Sequence, residues 1–468
     1  MTYSDVRQTA IRWGVPERRV TTLCRNNRII GAKKEGKSWL IPSDAELPFD
    51  GRTREAAEEK AESTANHTTV AYTSTGARER VYTAFEQTYG KTPQNVVFTP
   101  YRICPIGAHV DHNLGKFTGF ALDKGIYMAF GPKQNGIIEI RSLQFPKRAQ
   151  WHALEVPRVK EDDWADYLRG ATIALSSRYP LRTGLCAVID GELPIGGLSS
   201  SAAVLITFIS ELAELNNIRL TLSELVVIAR EAENKYVGSS SGKLNYSCEL
   251  YCRQDQLLYY DTADDSYELI KAPKDMKPYE IVLFFSGVER SLESSKYNMR
   301  VDECRSAAYA LMAFAGMEYR KFDETSLREV PYEVYLEHQT KLPENWVRRA
   351  EHWYSEQRRV EAGIAAWRKG DIAEFGRLSF ESGKSSIENW ETGSPELIKL
   401  YEILTHVQGI YGGRFLGSGF KGCCMALIDP AYETAILEQV KKEYLEAFPR
   451  LKDKYSAHIC HTADGVRL

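Results

Sequence analysis

At 468 residues, with 43% hydrophobic and 26% charged side chains, the chain is long enough for two or three domains around a sizeable core. No apolar run approaches membrane-spanning length and the N-terminus carries no signal-peptide core, which argues against a membrane or exported protein and makes the cytoplasm the expected setting. The nine cysteines are an odd number without a CxxC pair, the usage of reduced thiols. The net charge of −3 is uneven: residues 1–42 hold nine Lys/Arg against three Asp/Glu, a balance of +6 that leaves −9 for the remainder. A basic head on an acidic body suggests an anionic partner for the head.

The head reads as two short helices and a hairpin. Ser4 is the expected N-cap of a helix reaching Trp13, with Val6, Ala10, Ile11 and Trp13 apolar. Gly14-Val15 turns, Pro16 opens a second helix over Glu17–Asn26, and Arg28–Pro42 is a hairpin with Glu35-Gly36 at its turn. This pattern resembles a small winged helix-turn-helix of the excisionase or MerR-like kind. The resemblance implies DNA binding, with Arg18, Arg19, Thr21, Thr22 and Arg25 facing the major groove and Lys33, Lys34 and Lys37 near phosphate. A small basic docking domain fits the same residues. A DNA reader of this size usually needs two half-sites, so a homodimer is expected. Residues 43–76 read as a linker: charged and Ala-rich, then Ser/Thr-rich, with no apolar face.

From Ala77 onward helices and strands mix. Helices are expected at Arg78–Tyr89, Trp164–Ser177, Ala202–Leu215 and Leu222–Lys235. Strands are expected at Asn95–Pro100, Ala121–Ala129, Ile137–Ser142, Gly184–Ile189 and Tyr279–Phe285, with a Gly-rich pair near residues 412–428. Cys248, Cys252, Cys423 and Cys424 read as small core residues, and His458-Ile-Cys-His461 reads as strand rather than metal ligands.

One stretch organises this region: Glu192-Leu-Pro-Ile-Gly-Gly-Leu-Ser-Ser-Ser-Ala-Ala-Val204. Gly196 and Gly197 let the backbone approach a ligand, and Ser199, Ser200 and Ser201 lead into an apolar helix. A helix N-terminus with free N–H groups is a natural anion site, phosphate above all. A Ser-rich cap on a buried helix would read the same way. Two further stretches frame it: Arg102-Ile-Cys-Pro-Ile-Gly-Ala-His-Val-Asp-His112 and Gly412-Gly-Arg-Phe-Leu-Gly-Ser-Gly-Phe-Lys-Gly-Cys-Cys424.

Together the three resemble, in order, the motifs of the GHMP kinases (galactokinase, homoserine, mevalonate and phosphomevalonate kinases), and within them the galactokinases and plant galacturonate kinases. The resemblance covers about residues 78–468. It implies an α+β, two-domain GHMP kinase fold behind the winged head: a mixed-sheet domain over 77–285 for ATP and sugar, and a ferredoxin-like domain over 286–468. It also implies ATP and Mg²⁺. Gly196, Gly197, Leu198, Ser199, Ser200, Ser201 and Ala202, with Gly417, Gly419 and Gly422, would enclose the ATP phosphates. Ser200, or a neighbouring serine, and Glu233 would hold Mg²⁺. Arg102 would stabilise charge on the transferred phosphoryl group, and His109, Asp111 and Tyr297 would bind the sugar.

Two positions depart from the galactokinase pattern. Twelve residues after Glu233, where those enzymes carry an aspartate, stands Asn245. An amide neither accepts a proton nor carries charge. Asp255 lies ten residues too late to substitute. At Ala108 the galactokinases carry the glutamate that meets the sugar's C6 hydroxyl; its absence would admit a uronic carboxylate, and His112 would offer a donor. Three functions stay open: a kinase making the 1-phosphate of galacturonate or galactose, a catalytically impaired sugar and ATP sensor reporting to the DNA-binding head, and a slow kinase that also regulates.

Overall fold

The computed structural model describes residues 3–13, 15–25, 29, 31–36, 38–43, 45, 76–288, 295–318 and 320–467. The chain divides into two compact units, Met1–Ala71 and Tyr72–Leu468. Most of the expected linker, the side chains of Arg19 and Lys37, and Glu293-Ser294 lie outside the described residues.

In the first unit, β1 (Tyr3–Ser4), α1 (Val6–Trp13), α2 (Glu17–Arg25), β2 (Lys33–Glu35) and β3 (Ser38–Pro42) follow one another. The strands form an antiparallel sheet in the order β1-β3-β2. Ala10, Val20, Leu23, Cys24, Ile29 and Ile41 make its core. The expected cap is corrected: Ser4 pairs with Ile41 in β1, and Asp5 caps α1 by accepting the Gln8 N–H at 2.7 Å. The strand claims the serine, and the next short polar residue takes over its task. Arg18, Thr22 and Arg25 on α2 and Lys33 and Lys34 on β2 are exposed.

The second unit opens with α3 (Ala77–Tyr89), β4 (Asn95–Ile103), β5 (Lys116–Lys133), β6 (Ile137–Ser142), β7 (Arg148–His152), α4 (Asp166–Ser176) and β8 (Gly184–Gly191). Then come α5 (Ser200–Leu215), α6 (Leu222–Glu231), a π-turn (Ala232–Val237), α7 (Leu244–Tyr251), β9 (Gln256–Asp261), β10 (Tyr267–Lys271) and β11 (Glu280–Phe285). The rest is α8 (Ser295–Phe314), α9 (Tyr332–His338), α10 (Glu344–Arg368), α11 (Ile372–Glu388), α12 (Pro395–Leu404), β12 (Ile410–Phe415), β13 (Cys423–Ile428), α13 (Glu433–Ala447), β14 (Ser456–Cys460) and β15 (Thr462–Ala463).

Two sheets organise it. The eight-stranded sheet runs β10-β9-β5-β8-β6-β7, with β4 and β15 also paired to β5. Only β6 and β8 are parallel. The long β5 makes this possible: its start pairs with β9 and its end with β8. The four-stranded sheet is antiparallel in the order β12-β13-β11-β14. The apolar face expected for α5 is buried, with Leu205, Ile206, Phe208, Ile209 and Leu212 at 0% exposure. Helix α6 ends four residues earlier than its apolar pattern, because the π-turn takes over at Ala232 and carries Glu233. All nine cysteines are free and buried, and His458 and Cys460 lie in β14. Among the described residues no helix is long and apolar enough to cross a membrane.

Candidate active site

The first motif begins in β4 at Arg102, leaves the strand after Ile103 and turns back into β5. Gly107, at φ +97°, lies so close to Phe117 that any Cβ would overlap its backbone. The turn is pinned from α10. Glu356 Oε1 accepts the Gly107 N–H at 2.7 Å, and His352 Nε2 donates to the Ala108 carbonyl at 3.0 Å. A carbonyl only accepts, so His352 carries its proton on Nε2. Burial takes its pKa down to about 4.

His109 continues the turn at φ +62°, and its Nε2 donates to the carbonyl of Gly417 in the third motif at 2.8 Å. Its ring stacks on Trp390 at 5.3 Å. Burial first, and then the Arg414 charge, hold His109 neutral, well below the usual histidine range. Asp111 Oδ2 accepts the Leu244 N–H at 2.9 Å, which ties the first motif to the start of α7. Tyr297 on α8 completes the group, 6.2 Å from the His109 ring and 6.3 Å from that of His112. Ala108 packs in an apolar cluster with Cys104, Phe117 and Leu244.

The serine loop closes against the third motif. Gly196 and Gly197 take φ +138° and +82°, and Ser199 enters α5 at φ +57°. Gly422 lies so close that a Cβ on it would overlap the Gly196 backbone; one on Gly417 would come within 3.0 Å of Gly197 Cα. Leu198 and Ala202 are buried under the loop, and Gly419 has φ +77°. The N–H groups of Ser200 and Ser201 open α5, where no preceding turn accepts them. This is a cradle that side chains would fill, at a helix N-terminus, and its chemistry fits a phosphate chain.

Arg102 joins the parts. Its Nη1 donates to the Gly197 carbonyl at 3.1 Å and its Nη2 to Ser199 Oγ. Nε and Nη2 both donate to Asn245 Oδ1, at 3.1 and 2.8 Å. The guanidinium is 2% exposed and forms no ion pair shorter than 4 Å among the described residues. Asp255 is elsewhere, bonded to Thr462 of β15.

Glu233 Oε2 accepts from Ser241 Oγ at 3.1 Å and from the Tyr246 hydroxyl. Burial raises its pKa. No hydrogen bond joins it to Ser200, and no group of three or more His, Cys, Asp or Glu among the described residues would hold a metal by itself. One carboxylate and one hydroxyl fit a hard cation that takes its other ligands from phosphate and water.

Sequence reasoning passed over Glu356, Arg414 and Trp390. Glu356 is fully buried between Arg359, at 2.7 Å, and Arg414, at 3.8 Å. Burial alone would raise its pKa, but Arg359, His352 and Arg414 hold it at about 2. Arg414 stands in the third motif, Gly412 to Cys424, and so had a signal; Glu356 and Trp390 had none, because only tertiary packing brings them to Gly107 and His109.

Known proteins match this architecture. Three family profiles align: galactokinase galactose-binding signature over residues 83–132, GHMP kinases N terminal domain over 166–253, and GHMP kinases C terminal over 364–446. A galacturonokinase of Arabidopsis thaliana is 36% identical over 397 residues, 80% of this chain and 93% of that one. A galactokinase of Roseiflexus sp. (strain RS-1) is 31% identical over 384 residues, 82% and 95% of the two chains. The crystal structure of Lactococcus lactis galactokinase complexed with galactose superposes with a TM-score of 0.75 at 26% identity, over 83% of this chain and 98% of that one. With its phosphate-type cradle, its sugar-type turn and these relatives, the chain belongs to the GHMP kinase superfamily, on its galactokinase and galacturonokinase-like side.

Proposed function

We propose that the protein is a sugar kinase that transfers the γ-phosphate of ATP to the C1 hydroxyl of galacturonate or galactose. The supporting observation is the placement of Arg102. One buried guanidinium bonds to the serine loop through Gly197 and Ser199 and to α7 through Asn245, beside the turn that carries His109 and Asp111. In this reading the loop from Gly196 to Ala202, with Gly417 and Gly419, receives the phosphates of ATP. Arg102, always charged, faces the phosphoryl group in transfer, where such charge is worth most. His109, Asp111 and Tyr297 orient the sugar beside Ala108. Ser200 and Glu233 would hold Mg²⁺, which when bound neutralises charge on the phosphate oxygens. The sheet β11–β14 belongs chiefly to the proposed C-terminal domain of residues 286–468, and the eight-stranded sheet to the proposed domain of 77–285.

Asn245 uses its carbonyl oxygen for Arg102, so the hydroxyl proton of the sugar leaves without a carboxylate at that position. If a carboxylate there serves as general base, its absence costs about 10²–10⁴-fold in rate. ADP release with galacturonate and with galactose, for the protein and for Asn245→Asp, tests the reading. Turnover that requires either sugar supports the kinase. Background rates in the natural protein, with sugar binding intact and turnover restored in Asn245→Asp, would instead make it a sensor.

A second reading rests on the first unit. Its helix α2 buries Val20, Leu23 and Cys24 and exposes Arg18, Thr22 and Arg25, while Lys33 and Lys34 stand exposed on β2. We propose that this face binds DNA, as a homodimer on two half-sites. Binding of the full chain to duplex DNA should weaken steeply with salt, as phosphate neutralisation demands. Affinity for no duplex at low salt would end this reading without touching the kinase.

A further inference from the structure

Helix α7 sends two consecutive residues to two different parts of the site. Asn245 accepts from Arg102, and Tyr246 donates its hydroxyl to Glu233 Oε2. Tyr246 is fully buried, and Glu233 is 6% exposed on the π-turn that interrupts α6. Such turns gather at functional sites. Glu233 has a second donor in Ser241 Oγ at 3.1 Å, but that hydroxyl has one proton and a nearer acceptor, Asn234 Oδ1 at 2.8 Å. The Tyr246 hydroxyl is thus the committed donor to Glu233. A divalent cation draws on the same lone pairs, so a carboxylate that takes one must release or share its donor.

A second acceptor stands nearby. Glu249 follows Tyr246 by three residues on α7, a spacing that makes neighbours on a helix. It is 0% exposed, and neither carboxylate oxygen has a partner. Buried polar groups nearly always have partners, so two bare oxygens on one side chain ask for a donor. Neither phosphate nor sugar binding gives Glu249 a task. Glu249 is among the charges that act on Tyr246, and Glu233 among those that act on Glu249. The tyrosine therefore stands between two carboxyl groups, one holding its hydroxyl and one holding nothing. A carboxyl accepts in either protonation state.

We propose that Tyr246 is a positioning residue for cation binding: its hydroxyl holds Glu233 in place without the cation, and passes to Glu249 when a divalent ion takes Glu233. The inference rests on the reading that Glu233 holds Mg²⁺ and deepens it, because one buried tyrosine then sets how tightly that ion binds. No covalent bond changes in the exchange; the phenol keeps its proton and changes acceptor.

The test is the gain in affinity that Mg²⁺ gives a non-hydrolysable ATP analogue, measured by calorimetry on the full chain in saturating Mg²⁺ and in EDTA. Tyr246→Phe deletes one oxygen from a buried ring and should enlarge the gain by about three- to tenfold, the net scale of one hydrogen bond. Glu249→Leu removes the second acceptor and should shrink the gain by a similar factor. Added to Tyr246→Phe, Glu249→Leu should change nothing more, since the hydroxyl it serves is gone. A folding defect alone weakens binding in both solutions equally, so the ratio of the two affinities is the readout. An unchanged ratio in Tyr246→Phe, or a Glu249→Leu effect of equal size in both backgrounds, would overturn the exchange and leave Glu233 as the cation's ligand. A gain that is absent from the natural protein, or that survives intact in Glu233→Gln, would remove the cation reading and the exchange with it.

Discussion

Glu356 accepts the backbone N–H of Gly107 at 2.7 Å from a position with no solvent exposure, so a carboxylate on α10 sets the turn that carries His109 and Asp111. The same carboxylate faces Arg359 and Arg414. Removing it leaves two cations with little solvent to replace it. Glu356→Gln should destabilise the protein by about 3–5 kcal/mol in denaturant unfolding, the range for breaking a buried pair. It should also raise KM for the sugar more than it lowers kcat, because the turn, and not the phosphate cradle, loses its anchor.

The pH dependence of that anchor has a definite sign. The folded pKa of Glu356 is held at about 2, below its ordinary 4.5. A depressed carboxylate contributes stability that is complete above 4.5 and is lost as pH falls through about 2. The contribution is on the order of 3 kcal/mol. Asp111 and Glu233 act oppositely, since burial raises their pKa values. Comparing unfolding of the natural protein and Glu356→Gln between pH 6 and pH 3 isolates the term: the gap between them should narrow on acidification.

Replacing Gly422 with alanine should close the cradle. The residue has φ +98° and its Cβ would overlap the Gly196 backbone, which no side-chain movement relieves. Binding of a non-hydrolysable ATP analogue should fall at least about tenfold, measured by titration, while Gly238→Ala, with open space at its Cβ but a similar positive φ, serves as the control for backbone strain alone.

Arg102→Lys keeps the charge and loses the fork. A single ammonium cannot reproduce separate N–H vectors to Gly197, Ser199 and Asn245. Turnover in the Asn245→Asp background should drop by about 10²–10³-fold on adding this change. An undiminished rate would remove Arg102 from the chemistry.

Much of the site was legible because its parts are local. The serine loop, the Gly-rich pair β12–β13 and the count of twelve from Glu233 to Asn245 are properties of short stretches, and Asn245 does meet Arg102. What escaped depends on chain segments far apart. Glu356 is 249 residues from Gly107, and nothing in the local pattern of α10 marks it as more than a helical glutamate. Trp390 follows α11 in an unremarkable stretch and acquires meaning only under the His109 ring. At the edges, competition decided: β1 claimed Ser4 and passed the cap to Asp5, and a π-turn interrupted a helical pattern that continued smoothly through Ala232.

The pairing of β15 with β5 bears on how the molecule is made. Thr462 and Ala463 lie beside Leu122 and Ala121, and β14 completes the other sheet beside β11. Strand β15 thus pairs with a strand from the opposite end of this unit, and β14 reaches β11 across all the helices from α8 to α13. Pairings of such long sequence separation cost loop-closure entropy before any contact rewards it, so both sheets are completed by slow, non-local steps of folding.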